Sequence, residues 1–368
     1  MKKGDRFQIK IESLASSGDG VARVDNFVVF IADSCPEDEL EVVVTKVKKT
    51  FAIGKVVKIL KPSPNRLDPP CEIFENCGGC SWQHVSYSEQ LHWKRKNLLK
   101  TLKNIGKFED IQKVLPTVAS PNKFHYRNRI QVQSKKEGLF YFGKKSHDRI
   151  PVNQCLIADE KINHFMKQAP LSEMGKIEIA TTTEGVKTFP VDKFGNSKLG
   201  FRQVNDEQNR TLQEMVSQVI KDRRPRGVYD LYCGQGNWTL ALANNHPDIQ
   251  FIAIDKQEIN IQKAVKDALP NTHFICADVL EVFPVETQGA DLVIIDPPRS
   301  GCDPKLLEKI SNSSVQSLIY ISCHPATFAR DLQYLLQQNW LVDQIVPVDM
   351  FPHTPHLETW SLLHSDKG

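Results

Sequence analysis

The spacing of apolar positions changes character twice along the chain, and each change predicts a different kind of unit. Up to residue 61, short alternating or β-branched runs cover residues 7–11, 27–31, 41–47 and 52–59. Turn signals such as Gly18-Asp19-Gly20 separate them. Even spacing of short strands predicts a small closed β-barrel. Lys61-Pro62-Ser63-Pro64-Asn65-Arg66 then reads as a linker. Residues 62–200 are mixed, with a helix expected at 88–102 and strands at 129–133, 139–142 and 176–181.

From residue 201 the period becomes helical, then alternates. Leu212, Met215, Val216, Val219 and Ile220 form a stripe at i, i+3, i+4, i+7 and i+8. Strand-like runs follow at 228–232, 251–254, 273–276, 292–295 and 318–321. Helical runs at 237–243, 259–268, 304–309 and 325–338 lie between or after them. This alternation predicts an α/β, doubly wound parallel sheet over 201–368.

Composition adds a partner. The net charge of +3 says little, but residues 91–150 carry fifteen Lys/Arg against four Asp/Glu. Trp93, Phe108, Phe124, Tyr126, Phe140, Tyr141 and Phe142 are interleaved with them. Cations meet phosphates and rings stack on bases, so this segment is expected to face nucleic acid. The competing reading is a solvated basic face with core aromatics. The apolar runs are strand-length, so no membrane span is expected. No apolar stretch follows Lys2 and Lys3, so a cytoplasmic protein without disulfides is expected. No feature marks an obligate protein partner.

Four groups of residues carry chemistry. The first is Asp230-Leu231-Tyr232-Cys233-Gly234-Gln235-Gly236-Asn237-Trp238, at a strand-to-helix turn. Glycines there let backbone approach a ligand. Asp255 ends the next strand, where a carboxylate meets ribose hydroxyls, and Asp278 follows the strand after it. Thr239 stands where a dinucleotide fingerprint needs its third glycine, which disfavours NAD and leaves S-adenosylmethionine open.

The second group is Asp296-Pro297-Pro298-Arg299-Ser300-Gly301, a stiffened loop after a strand. Arg299 occupies the place where methylation of an exocyclic amine would favour an aromatic ring. The third is Cys323, in the loop after the strand 318–321, with Glu358 thirty-five residues later on what reads as another loop. A thiolate adding to uracil C6 would activate C5, and a carboxylate could then remove the C5 proton. The fourth is Cys71, Cys77 and Cys80 with Cys155 far downstream. Four thiolates suit an iron–sulfur cluster or a tetrahedral zinc, and spacing alone does not choose. Cys35, Cys233, Cys276 and Cys302 read as core or adventitious cysteines.

Together these motifs resemble the RNA uracil-C5 methyltransferases that form 5-methyluridine. The resemblance is carried by Phe201-x-Gln203-Val204-Asn205, the Asp230–Asn237 run and Asp296-Pro297-Pro298-Arg299. It continues in Ser322-Cys323-x-Pro325-Ala326-Thr327-x-Ala329-Arg330-Asp331 and in Phe351-Pro352-His353-Thr354-x-His356-x-Glu358. It implies Cys323 as nucleophile and Glu358 as base. It also implies Gln203, Tyr232, Gly234, Asn237, Asp255, Asp278 and Asp296 as the S-adenosylmethionine site. Residues 1–61 resemble a TRAM domain, an RNA-binding barrel. Cys71, Cys77, Cys80 and Cys155 match the family's [4Fe-4S] ligands, so 62–200 is expected to be a central cluster-bearing α/β domain. Barrel plus cluster is more like the ribosomal RNA enzymes, which makes 23S rRNA the expected substrate. Transfer RNA, and a non-catalytic RNA-binding role, are the alternatives. His324 for the family's usual Asn, Ser300 for Ala and Trp238 for Phe are departures.

Overall fold

A computed structural model describes residues 1–144, 146–168, 175–284 and 289–366. Its first sheet holds β1 (Arg6–Lys10), β2 (Ser13–Leu14), β3 (Gly20–Val24), β4 (Phe27–Ile31), β5 (Glu39–Val47) and β6 (Phe51–Lys61). β1 pairs with β5 while β2, a few residues on, pairs with β3. One bent segment therefore joins both edges and closes the sheet, which removes free strand edges. Ile9, Ile11, Ala22, Val29, Ile31, Leu40, Val42, Val44 and Ala52 fill the barrel. The barrel expectation is met, although β2 and β3 have no clear sequence signal. β2 has two residues, and β3 carries Arg23 within a short run.

The central part holds α1 (Tyr87–Asn104), β7 (Arg129–Lys135), β8 (Gly138–Phe142), β9 (Arg149–Pro151), α2 (Glu160–Gln168), β10 (Gly175–Thr182) and β11 (Gly185–Pro190). Its sheet runs in the order β11-β10-β7-β8-β9, and every pair is antiparallel. α1 does not pack there. Its Leu98 and Leu102, with Val114, join the core of the C-terminal sheet.

That sheet is built from β12 (Gly227–Leu231), β13 (Gln250–Asp255), β14 (Thr272–Cys276), β15 (Leu292–Ile295), β16 (Ser317–Ser322), β17 (Trp340–Val348) and β18 (Glu358–Ser365). Helices α3 (Asp206–Arg223), α4 (Thr239–Asn245), α5 (Glu258–Ala264), α6 (Val279–Val282), α7 (Pro304–Asn312) and α8 (Pro325–Gln337) connect or precede the strands. Strand order is β14-β13-β12-β15-β16-β18-β17. The first five run parallel, and β18 is antiparallel to both its neighbours. Alternate side chains of β15 and β16 feed two cores: Val293, Ile295, Leu318 and Tyr320 on one face, Leu292, Ile294, Ile319 and Ile321 on the other. Burial on both faces explains why these strands read as unbroken apolar runs.

Two sequence expectations need correction. Glu358 is the first residue of a strand, not part of a loop. Thr359, Trp360 and Ser361 behind it are also buried, so polar and apolar residues alternate without the sided pattern that marks a strand. The aromatic residues of 91–150 are largely structural. Trp93 and Tyr126 are buried, Phe108 packs on the core, and Phe124 stacks on His353 at 4.3 Å. Phe142 alone of that set is exposed to 45%. Among the described residues no helix is long and apolar enough to cross a membrane. All nine cysteines are free thiols; of the four read as core or adventitious, Cys35, Cys233 and Cys302 are buried and Cys276 is exposed.

α1 is held to the C-terminal sheet by a buried ion pair. Lys94 and Asp349 contact each other with both side chains fully buried, and Lys94 also donates to the Phe351 carbonyl at 3.0 Å. Tyr87 donates its hydroxyl to the other Asp349 oxygen at 2.8 Å. Removing one member strands the other charge in a dry site. Lys94→Met should therefore cost about 3–5 kcal/mol of unfolding free energy in urea titrations, with the Lys94→Met/Asp349→Leu double variant recovering much of it.

Candidate active site

The register of β16 on β18 assembles the two residues expected to react. Ser317 pairs with His364 and Ser322 with Thr359. One step further along that antiparallel ladder, Cys323 comes opposite Glu358. Asp296 leaves the neighbouring strand β15 at the same edge. Burial raises the Cys323 thiol to about 11, and the nearby carboxyls of Glu358 and Asp296 add to the rise. The Arg299 guanidinium hydrogen-bonds the thiol and pulls the other way. Glu358 is 2% exposed, and its Oε1 has no hydrogen-bond partner. Burial, then Asp296, lifts its carboxyl well above the usual range, against Arg299. Burial likewise lifts Asp296 to about 7, although the Trp238 indole donates to its Oδ2 at 3.3 Å. Three acidic groups thus share one cation. Arg299, which the sequence offers only as a missing aromatic, is that cation.

Two loops are stapled together around the thiol. His324 caps α8, its Nδ1 accepting from the Thr327 amide at 3.4 Å. Thr327 Oγ1 lies 3.2 Å from the Arg299 carbonyl and so ties the cysteine loop to the arginine loop. Asp331 accepts from the Tyr320 hydroxyl at 2.6 Å and from the Cys302 amide at 2.8 Å. Arg330 bridges to the Ser300 and Cys302 carbonyls. Gly301 has φ +80, and a Cβ there would meet Arg330 and Asp331 at 2.5 and 2.6 Å. The cradle requires the glycine that follows Ser300.

Apart from Gln203, which precedes α3, the expected cofactor residues lie at or just beyond the C-terminal ends of the parallel strands, with different local tasks. Asp255 ends β13, and its Oδ2 accepts the Gly234 amide at 3.0 Å while Oδ1 accepts Gln257 N–H at 2.7 Å. It shapes the glycine turn directly. Tyr232 has φ +64, and burial raises its phenol. Gly236 has φ +81, and a Cβ there would meet Leu240 at 3.0 Å. Asp278 caps α6 by accepting from Leu280 N–H at 2.9 Å. Gln203 is buried, and its backbone carbonyl accepts from Asn128. Asn237 is turned to another use: its side chain exchanges hydrogen bonds with Asn209 of α3 at 2.7 and 3.1 Å. Asp230, not singled out from sequence, is fully buried and accepts Thr239 N–H and Oγ1–H at 3.1 and 2.6 Å. Burial raises it to about 7, and its two contacts fix the turn into α4.

The loop before Glu358 is held from the central part. The Ser81 and Trp82 amides both donate to the His353 carbonyl at 3.0 Å. Gln90 is fully buried; its Oε1 accepts the His353 amide at 2.9 Å and its Nε2 reaches the Trp82 and Val85 carbonyls. The same stretch grips the barrel, since the Trp82 indole donates to the Gly18 carbonyl at 2.9 Å. This segment directly follows Cys80. Cys71, Cys77, Cys80 and Cys155 line one cavity of about 540 Å³ with Gly78 and Gly79 between the close pair. Burial raises the thiols of Cys71, Cys77 and Cys80, the last to about 12, with neighbouring thiols adding to each. Among the described residues no group of three or more His, Cys, Asp or Glu side chains is drawn together tightly enough to hold a metal ion.

Residues 278–366 match the tRNA (uracil-5-)-methyltransferase family, 228–311 a methyltransferase domain and 1–57 the TRAM domain. An uncharacterized RNA methyltransferase of Bdellovibrio bacteriovorus is 32% identical, with 99% of this chain and 96% of that protein covered. Another, of Thermosynechococcus vestitus, is 31% identical over 98% of each. The crystal structure of the Pyrococcus abyssi tRNA (uracil-54, C5)-methyltransferase with S-adenosyl-L-homocysteine superimposes with TM-score 0.76 and 26% identity, over 97% of this chain and 99% of that one. Barrel, doubly wound sheet and C-terminal motifs thus converge, and the chain belongs to the S-adenosylmethionine-dependent RNA uracil-5-methyltransferases that carry a TRAM domain.

Proposed function

We propose that the protein methylates C5 of a uridine in RNA through a covalent adduct of Cys323 at C6. The observation that carries this reading is the buried thiol and buried carboxyl on one register step, with Arg299 beside them. Uracil C5 is a poor nucleophile. Addition of the Cys323 thiolate to C6 pushes the C5=C6 electron pair toward O4 and makes C5 nucleophilic. C5 then takes the methyl group of S-adenosylmethionine, releasing S-adenosylhomocysteine. Glu358 removes the C5 proton, the electron pair restores C5=C6, and the thiolate leaves. Burial holds the resting Glu358 carboxyl protonated, so it gives up that proton to solvent, its carboxylate stabilised by Arg299, before it takes the C5 proton. Arg299 supplies the charge that stabilises thiolate and carboxylate in turn. Tyr232, Gly234, Asp255, Asp278, Asp296 and Gln203 form the cofactor edge, while Asn237 braces it against α3. The uridine must leave its stack to reach Cys323, and this reading places the protein in the cytoplasm.

The family resemblance carries Cys71, Cys77, Cys80 and Cys155 over as the ligands of a [4Fe-4S] cluster. Four thiolates would also suit a more compact, tetrahedral zinc ion. A four-iron cluster spreads four ligands around a larger space, and these four thiols line one cavity. When bound, the cluster would cross-link the 71–80 loop to Cys155. The barrel together with this cysteine set makes 23S rRNA the expected target. Transfer RNA is the second reading, favoured by the whole-chain likeness to the archaeal tRNA enzyme. Mass spectrometry of both RNA classes from a deletion strain separates the two.

Incubation with 5-fluorouridine RNA and S-adenosylmethionine should give a protein–RNA band that survives denaturation, because fluorine cannot leave as a proton would. Cys323→Ser should abolish it, and the band should form faster as pH rises toward the thiol's value of about 11. Methyl transfer by Cys323→Ser would overturn the mechanism. Anaerobically purified protein should be brown with about four iron per chain, and Cys155→Ala should lose that iron; stoichiometric zinc would contradict the assignment.

A further inference from the structure

The most exposed large apolar side chain among the described residues is Phe194, at 77%. It sits at the tip of a turn after β11, closed by a bridge between Val191 and Ser197. The Asp192 carboxylate accepts the amides of Phe194 and Asn196, each at 2.8 Å. Asp192 N–H donates to the Asn196 carbonyl at 2.9 Å. The turn is thus locked by polar contacts and holds its ring in water without packing it. An isolated exposed ring is ordinary, but this one has company. The Lys193 ammonium lies 5.0 Å over the ring, and Lys176 comes within 3.9 Å of where a Gly195 Cβ would sit. Lys198 is exposed beside them. The Lys263 ammonium donates to the Lys198 and Leu199 carbonyls at 3.0 and 2.8 Å, which brings a further cation to the patch. The one acid of the turn, Asp192, is occupied by amides. Phe201, 63% exposed, is the next ring along.

The patch adjoins the reaction edge. Leu199 accepts Gln235 Nε2–H at 2.8 Å, and Gln235 lies between the two glycines of the cofactor turn. Arg129 donates to the Gly200 carbonyl at 2.8 Å and is itself matched by Glu178. An aromatic face ringed by lysines next to a methyl-transfer site suits a single strand, whose bases expose π-faces while its phosphates remain accessible. We propose that the 192–198 turn is a stacking platform: Phe194 receives an unpaired base flanking the target uridine, and Lys193 and Lys198 hold its phosphates. The inference rests on RNA being the substrate.

The test uses the full-length protein and a short fluorescent single-stranded oligoribonucleotide of mixed sequence, with the same strand in a duplex as control. Phe194→Ala should weaken single-strand binding roughly 5- to 150-fold, the range of one lost stacking contact. Duplex binding and S-adenosylmethionine affinity should not change, and Phe194→Trp should restore the loss. Lys193→Ala/Lys198→Ala should lower the slope of log affinity against log salt by about 1.4. With total RNA as substrate, Phe194→Ala should raise KM and leave kcat near the unmodified protein's. Unchanged single-strand affinity, or an equal loss on the duplex, would overturn the platform. If the unmodified protein transferred no methyl group to RNA, the substrate reading itself would fail, whatever Phe194 did.

Discussion

The insertion of an antiparallel strand into an otherwise parallel edge is the constraint on which the site depends. A parallel neighbour of β16 would bring its own C-terminal end to the reactive edge. An antiparallel one brings its beginning, and β18 begins with Glu358. Two residues thirty-five positions apart therefore meet without either lying on a long mobile loop. Register is specified here by burial on both sides, because a one-residue slip would swap Trp360 and Leu362 with Ser361 between two different cores. That rigidity shuts a carboxyl away from water, and its raised proton affinity is a direct result. Geometry and electrostatics of the pair thus have one origin.

The same edge would be poorly defined without the central part. The chain between β17 and β18 is held by the Ser81 and Trp82 amides, by Gln90 and by the Lys94–Asp349 pair. All of these come from a stretch of fourteen residues after Cys80. That stretch also holds the barrel, through Trp82 on Gly18 and through the contact of His84 with the Ser34 carbonyl at 3.1 Å. Asp38 of the barrel receives Arg66 in a second, largely buried pair at 2.6 Å. RNA-binding barrel, cysteine cavity and reactive loop meet in a few residues, so disturbance of the cysteine loop has a short path to Glu358.

Legibility in sequence follows the source of each signal. The inner strands β12, β15 and β16 can be read closely because both faces are buried, and a short, largely apolar run between turn signals suits a buried strand. The chemistry-bearing loops stand out because glycine, proline and cysteine report local backbone demands. β18 escapes a reading by pattern because its stability comes from neighbours on both sides, which permits buried Thr359 and Ser361. α1 is legible as a helix while its partner is not, since an apolar stripe says that a helix packs and not against what. Arg299 and Asp230 are visible as letters in the motifs. Their roles depend on residues brought close by folding, Cys323 in one case and Thr239 in the other.

His324 shows what a departure from a family pattern means once its local task is known. Its position is the N-cap of α8, where an acceptor must satisfy the Thr327 amide. Asparagine does this with a carbonyl oxygen, and the imidazole does it with Nδ1. In that contact Nδ1 takes the acceptor's part. The helix start, and with it the lead-out from Cys323, is therefore preserved. What changes is the side chain one residue from the thiol: a longer, flat imidazole in place of an amide. The substitution keeps the helix cap in place and alters only the polar group that the loop after Cys323 presents.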